Sequence, residues 1–172
     1  MRVEHRYCEV RAVGAPDSRR IEGVLVRYGD VADLGQFSER IQRGALEWDD
    51  VTLNIQHDRG RPIARTGSGL TLGARDDGVR LAADVAPTRA GDDALQAVRA
   101  GLLRGLSVEM VVRSDDWQDV YGARNSIIRT ITGATVRGVG LVDRPAYPDS
   151  AVARAALDDV LATRPRAVRR WL

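Results

Sequence analysis

The chain of 172 residues contains no lysine, a single cysteine and two histidines. With Cys8 alone no internal disulfide can form, and a cysteine-based zinc site is not expected. No apolar run approaches the length that spans a bilayer, so no membrane partner is expected. Met1-Arg2-Val3-Glu4-His5-Arg6 lacks the apolar core of a signal peptide, which makes an intracellular location the default expectation. All 26 basic residues are arginine, set against 24 acidic ones. The net charge of +2 therefore names no partner, and nucleic acid is not expected as one. The exception to the mixed charge is the tail, Arg164-Pro165-Arg166-Ala167-Val168-Arg169-Arg170-Trp171-Leu172, whose plainest reading is a solvated terminus. What the chain does have is 44% hydrophobic residues, enough for one core.

Strand-type runs dominate. Glu4 to Val13 and Arg20 to Tyr28 read as strands, and Phe37 to Trp48 as a loop with a short helix. Val51 to Gln56 is a further strand. Gly67-Ser68-Gly69 and Asp76-Asp77-Gly78 are turns around Leu70 to Ala74. Val79, Leu81, Ala83 and Val85 then alternate at strand period. The period changes over Ala90 to Leu103, where Ala94, Leu95, Val98 and Leu102 form a helical stripe that Gly101 or Gly105 ends. Leu106 to Val112, Ile127 to Ile131 and Thr135 to Val142 return to strand. Ser150 to Ala162 reads as a terminal helix. The expected fold class is mainly β with flanking helices (α+β), a closed or partly open barrel, since closure removes exposed edges. The expected organisation is a barrel domain over 1–149 with one central helix, then a C-terminal helix and basic tail over 150–172.

Two residues stand at positions suited to chemistry. His57 closes the run Val51-Thr52-Leu53-Asn54-Ile55-Gln56, and Ser107 sits in Gly105-Leu106-Ser107-Val108-Glu109-Met110. A serine hydroxyl becomes a good nucleophile when a neighbouring base takes its proton, and imidazole is the usual base near neutral pH. Strand alternation puts Leu106, Val108 and Met110 on one face and Ser107 and Glu109 on the other. Taken one at a time, a strand serine and a strand-end histidine are ordinary residues, and spacing does not join them. His5 and Cys8 are too few for a metal site, and Gly67-x-Gly69 lacks the rest of a phosphate loop.

The ordered set of motifs, however, resembles the prohead (procapsid) maturation proteases of tailed phages, a group distantly akin to herpesvirus assemblin. The resemblance runs from about Gly23 to Ala153. It takes in Gly23 to Gly29, Phe37 to Ile41, Gly44-Ala45-Leu46, Leu53 to Asp58, Pro62 to Thr66, Asp77-Gly78-Val79, Gly105 to Met110 and Val139 to Tyr147. It implies an assemblin-like β-barrel, with Ser107 as nucleophile and His57 as general base of a serine endopeptidase that needs no cofactor or metal. The implied substrates are the scaffold segment of the major capsid protein and the enzyme itself, cleaved inside the assembling procapsid in the host cytoplasm. Self-association is known in assemblin relatives, but nothing in the sequence displays an interface. The short C-terminal end fits a trimmed form or a member from a phage-like gene transfer particle. One position departs from the pattern. The family carries an acid followed by a hydrophobic residue and a serine in the strand before Pro145-Ala146, where this chain has Gly138-Val139-Gly140. Glu109 is a substitute third member, with Asp143 and Asp58 behind it, and a dyad without a third partner also stands open. Gly138 equally suits a different class of protein, a degenerate assembly factor that binds capsid or scaffold protein without cleaving it. The glycines at 138 and 140 are read as room for a substrate backbone or as a bend in the barrel, and Arg144 as a surface residue.

Overall fold

The computed structural model describes residues 4–12, 18–34, 37–120 and 127–143. Among the described residues, eleven strands form one sheet: β1 (Glu4–Ala12), β2 (Arg20–Arg27), β3 (Ala32–Asp33), β4 (Ser38–Ile41), β5 (Leu46–Glu47), β6 (Thr52–Ile55), β7 (Asp58–Thr66), β8 (Gly69–Arg75), β9 (Gly78–Asp84), β10 (Gly105–Asp119) and β11 (Ile127–Val142). Hydrogen-bonded neighbours run β10-β1-β2-β9-β8-β7-β6-β11, and β10 pairs in turn with β11, so the sheet curls back on itself. Alternation explains the inner face. Val79, Leu81 and Ala83 on β9 are at most 2% exposed, and Leu106, Val108 and Met110 on β10 are fully buried. They pack with Ile21, Leu25, Leu53, Ile63 and Leu141 in the main core.

The expectation of a mainly β chain holds, with a single helix, α1 (Arg89–Arg99), among the described residues. Thr88 caps its start by accepting a hydrogen bond from the Gly91 N–H at 3.2 Å. Gly101, at φ 70°, ends it: the Gly101 N–H donates to Val98 O and the Leu102 N–H to Ala97 O. Ala94, Leu95 and Val98 are buried as the stripe requires, but Leu102 lies beyond the cap and is exposed. No described helix is long and apolar enough to cross a membrane. The expected C-terminal helix and the boundary after residue 149 fall outside the described residues.

Two readings need correction. Phe37 to Trp48 holds no helix: β4 and β5 instead pair in parallel with β11, and β3 pairs with β4. Ile127 to Val142 is one strand and not two, since Gly133 pairs with Ser114 between two register shifts that leave Arg113 and Thr132 as extra residues. Asp58 to Thr66, to which the sequence pattern assigned no element, is a strand whose first five residues are exposed.

The far end of the long β10–β11 pair carries a second, smaller cluster. Phe37 and Trp117 meet in a tilted contact with ring centroids 4.9 Å apart, beside Ile127. The Arg129 guanidinium lies 5.4 Å from the Trp117 ring and donates to Asp115 at 2.6 Å and to Glu39 at 3.2 Å. Glu39 is 1% exposed and Arg129 4%, so this pair is deeply buried, with Asp115 at its more open edge.

Candidate active site

His57 owes its position to a tight turn. Ile55 pairs with Asp58, leaving Gln56 and His57 as a two-residue hairpin loop between β6 and β7. Their φ angles are 52° and 58°, the left-handed values that a type I′ turn demands at both central positions. Such turns favour Asn-Gly; a side-chain-bearing residue held there costs on the order of 1 kcal/mol or more. The turn is anchored to β11 because the Gln56 N–H donates to Leu141 O at 2.8 Å and the Gln56 side chain donates to Asp143 at 3.1 Å.

This geometry lays the imidazole across β11 at Gly140. A Cβ built on Gly140 would stand 2.7 Å from Cε1 and Nε2 of His57 and 2.8 Å from Cδ2, closer than real carbon atoms approach. Glycine is therefore required here by the ring itself. Across the rung, Gly140 pairs with Ser107 on β10. The Ser107 hydroxyl stands 2.6 Å from His57 Nε2, a short hydrogen bond. Ser107 has no exposed surface.

The other ring nitrogen faces an acid. Glu109 Oε1 lies 3.3 Å from His57 Nδ1, an ionic contact whose geometry is not that of a hydrogen bond, and both side chains are 17% exposed. Glu109 pairs with Gly138 across β10 and β11, and a Cβ at 138 would collide with the Glu109 carboxylate. The ladder then slips: Met110 pairs with Val136, leaving Arg137 as an extra residue just past the acid. A carboxylate at Nδ1 favours the tautomer that carries its proton there, which leaves the Nε2 lone pair to accept from Ser107.

Three sequence-nominated residues thus converge: His57, Ser107 and Glu109. Asp58 Oδ1 accepts from the Gly60 N–H at 2.8 Å, and Asp143 binds Gln56. The room at 138 and 140, read as space for a substrate backbone, is filled by the Glu109 carboxylate and the His57 ring. Arg144 lies outside the described residues. No group of three or more His, Cys, Asp or Glu side chains is gathered to hold a metal ion among those described.

A cleft of about 680 Å³ opens beside Glu109, along the β11 edge between β5 and β6. Its walls include Asp50, Thr52, Asn54, Thr135 and Arg137, with Gly138 at the Glu109 end. Asn54 is 5% exposed, and its side-chain oxygen has no hydrogen-bond partner among the described residues. Sequence reasoning missed this residue. Its signal was present as a polar side chain between Leu53 and Ile55, both buried.

A family model described as caudovirus prohead serine protease matches residues 6–163. No curated protein and no solved structure matches the chain.

Proposed function

The chain belongs to the caudovirus prohead serine protease family, and from that premise we propose that it is a serine endopeptidase acting through Ser107, His57 and Glu109. Ser107 Oγ attacks the peptide carbonyl as its proton passes to His57 Nε2, and the same nitrogen protonates the leaving amine. Water, deprotonated by Nε2 in turn, releases the acyl-enzyme. Glu109 steadies the imidazolium through Nδ1. The buried Ser107 must be uncovered for a carbonyl to reach it, and the cleft beside Glu109 is where the bound polypeptide lies.

The substrate we assign is the scaffold segment of the major capsid protein, with self-cleavage as a second event, both within the procapsid in the host cell. The observation that carries the reading is the 2.6 Å contact between Nε2 and Oγ, backed by a carboxylate 3.3 Å from Nδ1. Gly138, which in the sequence spoke for an assembly factor that does not cleave, loses that weight because the Glu109 carboxylate occupies its side-chain space.

Co-expression with the matching capsid protein tests this, with Ser107→Ala as control. Shortening of the capsid protein by the parent chain and not by the variant is expected. Equal processing by both, or none by the folded parent, overturns the reading and favours the assembly factor.

A further inference from the structure

The rung that joins residues 109 and 138 holds one side chain where two strands could each supply one. Glu109 comes from β10, and Gly138 opposite it on β11 supplies none. A Cβ at 138 would stand 2.4 Å from Glu109 Oε2 and 3.4 Å from its Cδ, so the carboxylate would have to move from where it meets His57. The volume it fills borders His57 Nδ1, because the carboxylate is 3.3 Å from that nitrogen. Facing residues of an antiparallel rung lie on the same side of the sheet, so a side chain at 138 points toward the same histidine.

We propose that Gly138 is a positioning residue: the 109–138 rung admits one carboxylate and one bare backbone, this chain delivers the acid from β10, and exchanging the two residues rebuilds the partner of His57 from β11. The proposal rests on the reading of His57 as general base, and deepens it by stating what fixes the orienting acid. The slip in the ladder just after Glu109 confines the exchange to this rung, since Met110 already pairs with Val136.

Among the described residues, several charged groups lie on the elements around the ring. Glu109 faces Nδ1 from β10. On the turn side, Asp58 is held by the Gly60 N–H and Asp143 by the Gln56 amide, while Arg59 and Arg137 line the neighbouring cleft. The difference in imidazole titration between variants at 109 and 138, followed by NMR, reports on the carboxylate at Nδ1. His5, the other histidine, serves as an internal reference.

The test uses the full chain. Glu109→Gln is expected to lower the pKa of His57 by about one unit or more, the effect of removing an opposite charge at this range. Gly138→Ala should lower it as well, by displacing Glu109, and should lower Tm. The exchange variants Glu109→Gly/Gly138→Asp and Glu109→Gly/Gly138→Glu should recover most of the shift in at least one case. Where an exchange variant fails to fold, the stability cycle decides: Glu109→Ala should abolish the Tm loss caused by Gly138→Ala, because it empties the contested volume. A parental His57 titration in folded Gly138→Ala overturns the proposal. So does a folded exchange pair that both stay at the Glu109→Gly value, and so does a Gly138→Ala Tm loss that persists unchanged without the Glu109 side chain. None of these readouts needs peptidase activity, so the rung can stand while the protease reading fails, and the reverse.

Discussion

Replacing Gly140 with alanine adds one methyl group where the His57 ring rests, and the consequence can be worked from three distances. The new carbon would meet ring atoms at 2.7, 2.7 and 2.8 Å. Carbon atoms settle at about 3.5–4.0 Å, so the ring must withdraw by roughly 1 Å. The contact between Nε2 and Ser107 Oγ, now 2.6 Å, then stretches to about 3.6 Å, beyond a useful hydrogen bond. A displacement of about 1 Å between reacting groups costs on the order of 10²-fold in rate, equivalent to about 2.7 kcal/mol of barrier. The assay is the rate at which a fluorophosphonate labels Ser107 in Gly140→Ala and in the parent, with thermal melts run alongside. Labelling about 10²-fold slower is expected, with a melt that stays cooperative. Labelling within about threefold of the parent by a folded variant would refute the claim that glycine is there for the ring.

Three further outcomes follow from the same structure. Glu39→Ala leaves the buried Arg129 guanidinium with one carboxylate fewer and should lower unfolding free energy by about 3–5 kcal/mol, seen as a Tm drop on the order of 10 °C; a loss under about 1 kcal/mol would contradict it. Gln56→Gly should raise Tm by a few degrees, since glycine adopts the φ of 52° without penalty, and a fall would mean that the side-chain bond to Asp143 outweighs the backbone strain. Arg65 hydrogen-bonds the exposed Asp50 carboxylate and holds its pKa below the ordinary value. A depressed carboxylate stabilises the fold above its unfolded pKa of about 3.9 and loses that contribution as pH falls through the folded value. Asp50→Asn should thus melt slightly below the parent at neutral pH and converge with it in acid; a gap that widens in acid would reverse the sign.

Local pattern carried part of this structure and long-range register carried the rest. The alternation of Leu106, Val108 and Met110 and the stripe of Ala94, Leu95 and Val98 are written in neighbouring residues, and both elements formed where that pattern placed them. The motifs around His57 and Ser107 named two site residues, yet nothing local says that the pair lies one rung apart across Gly140. That depends on the β10–β11 register and on a turn that forces two residues to positive φ. Glu109 stands two residues from Ser107 on one strand, and spacing along a chain omits the ring that lies between them. The strands at Ser38 to Ile41 and Leu46 to Glu47 were hidden for a similar reason. Each is too short to show a period, and each exists through parallel pairing with β11, some 90 residues away.

The account stands on a nucleophile and a base brought together from positions 50 residues apart. Mapping a fluorophosphonate adduct by peptide mass spectrometry tests that most directly. The account predicts an adduct on Ser107 in the parent chain, absent in Ser107→Ala and strongly reduced in a folded His57→Ala variant. An adduct that forms at the parental rate without the imidazole, or a folded parent that takes up no label on Ser107, would contradict it.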